Sequence, residues 1–185
     1  MARIQPVDRN NTDTETVEFL DSVQKSMGGV PNIISTMANS LVVGKAYIGL
    51  NHVLSTGKLS ARLREMISLT VAQGNECGYC LSAHTFLGKR AGLTEDETDA
   101  ARGAVSKDAK EHAALEFAEK LVSLRGRVSD EALAQVRQAG YTEGEIAEII
   151  TNVALNIFTN YFNHVADTEI DFPSVPVQSA KASAE

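Results

Sequence analysis

The chain has 185 residues, of which 43% are hydrophobic and 22% are charged, and its formal net charge is −7. This length and composition are typical of a globular domain that buries roughly two-thirds of its unfolded surface. Nucleic acids and anionic membranes attract basic surfaces, so the acidic balance argues against both as partners.

The N-terminus and the cysteine count indicate the cellular compartment. Residues 1–11 (MARIQPVDRNN) lack the apolar stretch of a signal peptide. No uncharged apolar run approaches the roughly 20 residues that a membrane-spanning helix needs. With two cysteines, the chain has no disulfide framework of the kind that small secreted proteins use. We therefore expect a cytoplasmic protein without a membrane partner.

Apolar residues recur at helical spacing along most of the chain, whereas residues 1–12 are polar and are predicted to form an extended lead-in. No segment alternates apolar and polar residues for long. The predicted fold class is therefore all-α, with a single helical-bundle domain over residues 13–172. The best-defined helices are predicted at about 13–28, 31–37, 40–57, 60–74, 77–91, 130–139 and 143–164.

Three helix starts have the spacing of a capping box, in which a side-chain oxygen accepts an unpaired amide N–H and an acid three residues later reaches back. They are Thr94 with Glu97, Asp108 with Glu111, and Thr142 with Glu145. At the other extreme, residues 173–185 (PSVPVQSAKASAE) are small, polar and proline-bearing. This composition predicts a loose tail or an arm laid on a neighbouring subunit.

The chain also has a weak internal similarity. Shifting it so that Glu148 falls on Glu65 places Asn160 and Asn163 on the two cysteines. A degenerate duplication of a helix pair, giving two pseudo-repeated halves, would produce this match. Chance similarity between two amphipathic helices would produce it as well.

The stretch 59–93 contains both cysteines, Cys77 and Cys80, in the order Cys-Gly-Tyr-Cys, and His84 follows four residues later. On a helix these three residues lie on one face, within roughly 60°. Residues three apart bring their Cβ atoms to roughly 5–6 Å, near enough for a disulfide after modest adjustment. If a helix starts near Cys77, its unpaired amides and macrodipole favour thiolate over thiol. The dipole alone would favour the Cys77 thiolate over that of Cys80.

Other interpretations of the pair remain open. Two cysteines on a buried helix face can simply pack. A zinc site would need a distant further ligand, to be chosen from His52, His112, His164 or Glu65. The three distant histidines are otherwise predicted to be surface or core residues. A thioredoxin-like site is excluded by context, because that motif follows a strand and here a helix precedes the pair.

Two further polar features accompany the pair. Glu65 precedes Cys77 by twelve residues, and its neighbours are apolar on nearly every helix face. A partly buried carboxylate suited to a general base is therefore expected, with an ion pair to Arg62 as the alternative. On the last helix, four asparagines form a stripe that predicts a hydrogen-bonding seam or a solvated face, not a catalytic feature: Asn152, Asn156, Asn160 and Asn163.

Glu65, Cys77-Gly-Tyr-Cys80 and His84 keep the spacing of a known motif. The segment resembles the core of the alkylhydroperoxidase AhpD-like family, within the carboxymuconolactone decarboxylase superfamily. The flanking sequences resemble longer members of that family and extend the similarity over most of the chain: VPNI at 30–33, GKLS at 57–60 and NYFNHVADTEIDFP at 160–173.

The resemblance implies an all-helical subunit, usually assembled as a trimer or hexamer, with peroxidase or disulfide-reductase activity and no cofactor or metal. Cys80 would attack a hydroperoxide or disulfide substrate, and Cys77 would resolve the product to a redox-active disulfide that a dithiol donor recycles. Glu65 and His84 would relay protons through water. The namesake enzyme has a histidine between the cysteines, where this chain has Tyr79. The alternatives are a decarboxylase-like lyase of the same superfamily and a redox-switched interaction protein.

Overall fold

Nine α-helices and no strand are found in residues 1–178, which are the residues described by the computed structural model. The predicted all-α fold is thereby confirmed. No helix within these residues is both long and apolar enough to cross a membrane. The helices are α1 (Thr14–Met27), α2 (Asn32–Met37), α3 (Leu41–Ser55), α4 (Ala61–Gly74), α5 (Gly78–Arg90), α6 (Glu95–Arg102), α7 (Ala109–Ser123), α8 (Asp130–Gln138) and α9 (Glu143–Ala166).

Helix starts follow the capping residues of the sequence closely. Both partners of the capping box are in place at Thr94 for α6 and at Thr142 for α9, as predicted. The box predicted at Asp108 is incomplete: Asp108 accepts the N–H of Glu111 at 2.8 Å, but the Glu111 carboxylate does not reach back. It bonds to Arg62 and Ser106 instead, because a charged partner from α4 outcompetes a local amide.

The centre of the fold is α4, which packs against α5, α6, α7 and α9. Its side chains are buried almost without interruption from Leu63 to Ala72. A helix that is apolar on nearly every face is stable only when other helices surround it. This burial places Glu65, near the start of α4, at the edge of the core.

The neighbouring helices α3 and α9 have the opposite character, since each leaves an apolar face uncovered. Only Gly44 and Leu54 of α3 are buried, although the helix is rich in apolar residues. The two helices contact each other, so their exposed apolar side chains form one surface, here named the α3–α9 face. Its members include Val42, Leu50, Val53, Ile150, Phe158, Tyr161 and Val165.

The terminal segments are held by backbone and side-chain bonds to the helices. The N–H groups of Arg3 and Ile4 donate to the carbonyl of Ala166, so the lead-in lies against the end of α9. Near the C-terminus, Ser82 accepts the N–H of Val175 at 3.0 Å, and Arg102 donates to the carbonyl of Pro176 at 2.6 Å. Over 173–178 the chain is thus held by its own helices and is not loose. The rest of the predicted tail, 179–185, lies outside the described residues.

The internal similarity does not extend to the helix pair. The chain is interrupted between α4 and α5, around Cys77. The positions that the shift aligns with this interruption, near Asn160, lie within the uninterrupted helix α9. The aligned half therefore has no helix start where the first half has its cysteines.

Glu148 ties α9 to the loop between α3 and α4. Its carboxylate accepts the N–H of Lys58 at 2.8 Å and that of Leu59 at 3.0 Å. Gly57 lies against the same carboxylate, and a Cβ at that position would overlap it. We predict that Glu148→Ala and Gly57→Ala each lower the free energy of unfolding by about 1–2 kcal/mol, because each removes the same bonds. Urea denaturation measures both effects.

The double variant is the control for this prediction. Because the overlap disappears together with the carboxylate, Gly57→Ala added to Glu148→Ala should cost little more than Glu148→Ala alone. Fully additive losses of stability would contradict the contact.

Candidate active site

The turn between α4 and α5 positions the first cysteine. Glu76 adopts a left-handed conformation with φ 55°, although it is not a glycine. The N–H of Cys77 then donates to the carbonyl of Ala72 at 2.8 Å, the bond that closes a Schellman-type helix end. Cys77 is also the N-cap of α5, where its sulfur accepts the N–H of Cys80 at 3.4 Å. One residue therefore ends α4 and begins α5.

The two sulfur atoms face each other as free thiols. The Sγ atoms of Cys77 and Cys80 are 2.8 Å apart, and both residues are buried. The side-chain amide of Asn163 on α9 donates to the sulfur of Cys80 at 3.3 Å. Cys80 therefore receives polar contacts from both its own helix and α9.

These contacts divide the protonation states of the pair. The hydrogen bond from the Cys77 thiol lowers the pKa of Cys80 in spite of burial, and the charge of His84 acts in the same direction. The amides of Asn163 and Asn160 lower it further. The pKa of Cys77 is raised, because the same hydrogen bond and burial favour its protonated form. The expectation from the helix dipole alone is reversed, since the donors converge on Cys80.

Glu65 and His84 form a hydrogen-bonded pair across α4 and α5. His84 Nδ1 lies 2.8 Å from Glu65 Oε2, and the side chains are 20% and 21% exposed. Burial alone would lower the pKa of His84, but the charge and hydrogen bond of Glu65 raise it above its usual value. The partly buried carboxylate was predicted correctly. The alternative partner, Arg62, is engaged by Glu97 at 2.7 Å and Glu111 at 3.0 Å.

A cleft of about 680 Å³ opens onto this group of residues. Cys80, His84 and Glu65 all line it, whereas Cys77 is not among the described residues that do. A smaller polar cavity of about 100 Å³ lies at the other side of the Glu65–His84 pair and also touches Ser68. The thiol with the lowered pKa is therefore the one that borders the cleft.

Tyr79, between the cysteines, has a well-defined structural role. It is buried, and its hydroxyl accepts the N–H of Ile33 at 3.3 Å. Its ring meets that of Phe172 edge-on, with centroids 5.8 Å apart. Burial raises the pKa of its phenol, which keeps the group neutral. The side chain thus ties α2 and the C-terminal segment to the helix that carries the thiols.

The remaining histidines lie away from the cleft. His52 and His164 are exposed, and His112 lies 3.8 Å from Glu116 on α7. Within residues 1–178, no three side chains of the metal-binding types come together as a ligand set. The zinc interpretation of the cysteine pair therefore has no support in this part of the chain.

Two residues at the site were not singled out from the sequence. The asparagine stripe does form the predicted seam, in which Asn156 donates to Ser68 Oγ at 3.0 Å, but the contact of Asn163 with Cys80 was missed. The burial of the whole stripe is the signal that could have shown it. Tyr47 of α3 lines both cavities. No pattern in the sequence of α3 marks that residue.

Comparisons with known proteins agree with this geometry. The model of the carboxymuconolactone decarboxylase family matches residues 43–120, a segment that contains Glu65, Cys77, Cys80 and His84. No curated protein matches the chain.

Several solved structures share the fold. An uncharacterized peroxidase-related protein from Silicibacter sp. TM1040 has 21% identity and a TM-score of 0.78, covering 90% of this chain and 92% of its own. An AhpD-core, peroxidase-related protein from Ralstonia eutropha JMP134 has 20% identity and a TM-score of 0.81, covering 92% of both chains. The debrominase Bmp8, solved with 2,3,4-tribromopyrrole, has 22% identity and a TM-score of 0.77, covering 91% of both. The chain belongs to the carboxymuconolactone decarboxylase superfamily, and its fold is that of the AhpD-like proteins.

Proposed function

We propose that this chain is a thiol-dependent peroxidase or disulfide oxidoreductase with an antioxidant role, in which Cys77 and Cys80 form the redox pair. One observation carries the proposal. The sulfur of Cys80 borders the cleft beside the Glu65–His84 pair and lies 2.8 Å from the sulfur of Cys77. An accessible thiol of lowered pKa next to a second thiol is the arrangement that reversible oxidation requires.

In the first step, the Cys80 thiolate attacks the terminal oxygen of a hydroperoxide. The S–O bond forms, the O–O bond breaks, and its electron pair goes to the departing alkoxide. His84, protonated and hydrogen-bonded to Glu65 at 2.8 Å, gives the alkoxide a proton. The products are an alcohol and a sulfenic acid on Cys80.

In the second step, the Cys77 sulfur attacks the sulfenic sulfur. The S–S bond forms, the S–O bond breaks, and hydroxide leaves with the thiol proton as water. Each turnover thus converts one hydroperoxide and two thiols into one alcohol, one water and one disulfide. An external dithiol donor then reduces the disulfide by exchange. A disulfide substrate would be attacked by the same Cys80 thiolate.

Reductive dehalogenation is a second candidate, favoured by the structural similarity to the debrominase and by the aromatic wall of the cleft, which includes Phe86 and Phe172. The Cys80 thiolate would take the bromine from carbon, which gains a proton, and Cys77 would displace bromide to give the same disulfide. Release of bromide from tribromopyrrole identifies this activity. A lyase that does not use the thiols would keep its activity after thiol alkylation, and a redox-switched interaction protein would be oxidised once without turnover.

The protein is further proposed to be a homo-oligomer, a trimer or hexamer as the family resemblance implies. The α3–α9 face supports this proposal, because such a run of exposed apolar side chains on two adjacent helices is costly to leave in water. A second copy of the same face is the simplest cover for it.

Turnover of tert-butyl hydroperoxide with a dithiol reductant tests the central proposal. Cys80→Ser should abolish activity, and Cys77→Ser should stop sustained turnover. Glu65→Gln should lower kcat/KM about a hundredfold, because the amide keeps the contact but removes the charge that supports the His84 imidazolium. Glu116→Gln, which alters the exposed Glu–His pair on α7, is the matched control and should have no effect. Full activity of Cys80→Ser would refute the proposal.

The rate of Cys80 oxidation should depend on pH in a defined way. Because the pKa of Cys80 is lowered, its thiolate persists below the pH at which ordinary thiols are protonated, and the rate falls as pH drops through that lowered value. Asn163→Leu removes a donor to the thiolate and should move the midpoint upward by about one pH unit. Asn152→Leu, whose amide bonds to the Glu148 carbonyl, should not move it. Equal midpoints in all three proteins would contradict the role of Asn163.

The oligomer is tested by light scattering coupled to size-exclusion chromatography. Val53→Glu on the α3–α9 face should dissociate the assembly, because a charge in an apolar interface is desolvated without a partner. Val105→Glu, at a similarly exposed valine outside that face, should leave the assembly intact. A monomeric wild-type protein would remove the proposal.

A further inference from the structure

The cleft at Cys80 is much larger than a peroxide group needs. Its volume is about 680 Å³, within the range of roughly 300–1,000 Å³ in which proteins bind whole organic ligands. Hydrogen peroxide, about the size of two waters, would leave nearly all of it filled with solvent. The space therefore fits the organic body of a substrate as well as its reactive group.

The cleft extends along one face of α5. Cys80, Ala83, Leu87 and Arg90 recur at three- and four-residue spacing and all line it. Ten residues of helix separate Cys80 from Arg90, which corresponds to roughly 15 Å along the axis. The wall between the two ends is apolar, and Phe172 closes it from the C-terminal segment. A ligand that reaches from the thiol to the far end is thus elongated and apolar in its middle.

Arg90 gives the far end of the cleft a positive charge. It is the one basic residue among the described residues that line the cleft. Its guanidinium carbon lies 5.8 Å from the centre of the Phe86 ring, so the charge rests against the cleft wall. Within residues 1–178 no carboxylate lies within ion-pair distance of it.

The acidic residues of the cleft are already engaged. Glu65 is hydrogen-bonded to His84, and Asp171 accepts the backbone N–H of Asn32 at 2.8 Å. Arg90 is therefore available to a ligand, and its planar guanidinium suits a carboxylate above other groups.

We infer that the substrate is an amphipathic organic hydroperoxide with an apolar chain and a carboxylate on the order of 10–15 Å from the peroxide, and that Arg90 binds the carboxylate. A fatty acid hydroperoxide has this chemistry. The inference rests on the proposed peroxidase function and adds no step to it, because the carboxylate is unchanged while the peroxide is reduced to an alcohol. Arg90 determines specificity and takes no part in the transfer of electrons or protons.

The test compares linoleic acid hydroperoxide with its methyl ester, which keeps the chain and the peroxide but has no charge. The wild-type protein should prefer the acid about tenfold in kcat/KM, chiefly through KM. Arg90→Gln should remove the preference, Arg90→Lys should keep part of it, and turnover of tert-butyl hydroperoxide should be unchanged in both. Arg127→Gln, which alters an exposed arginine outside the cleft, should behave as wild type. Equal rates for acid and ester in the wild type would overturn the inference.

A binding measurement separates this inference from the proposed activity. The hydroxy fatty acid that the reaction would produce cannot be reduced further, so calorimetry can follow its binding without turnover. Binding that is about tenfold weaker in Arg90→Gln than in wild type or Arg127→Gln would support the carboxylate site even if no peroxide were consumed. Peroxide turnover with equal binding of the hydroxy acid to all three proteins would keep the peroxidase and refute the site.

Discussion

The hydrogen bond from the Cys77 N–H to the Ala72 carbonyl is the constraint on which the site depends. It fixes the end of α4 and, within one residue, the start of α5, so that Cys77 caps α5 and Cys80 lies in its first turn. The same reversal folds α5 back along α4, which brings His84 against Glu65 although 19 residues separate them. The left-handed Glu76 is part of this reversal, and its strain is typical of residues beside functional sites.

Chemical asymmetry between two identical side chains follows from that geometry. Cys77 is the N-cap and gives its thiol proton to the hydrogen bond between the sulfurs, while Cys80 receives that bond and the amide of Asn163. Cys80 also borders the cleft. Charge, hydrogen bonding and access therefore favour the same sulfur as the attacking group, and the second thiol lies in contact with it.

The sequence predicted what short-range physics controls. Capping side chains set the starts of α1, α6 and α9 as expected, and the apolar neighbours of Glu65 gave its partial burial. Features that depend on distant partners were not predictable in this way. Glu111 is drawn from its capping box by Arg62, 49 residues away, and Asn163 meets Cys80 across 83 residues. The turn at Glu76 was hidden as well, because that left-handed position has no glycine to mark it.

The central claim is that Cys80 attacks and Cys77 resolves, and the location of the first oxygen tests it most directly. The reduced Cys77→Ser protein is mixed with one equivalent of tert-butyl hydroperoxide and a sulfenic-acid trap, and its peptides are analysed by mass spectrometry. The account predicts the trapped adduct on Cys80, and a disulfide without an adduct in the wild type. An adduct on Cys77 in the Cys80→Ser protein, with none on Cys80 in the Cys77→Ser protein, would contradict it.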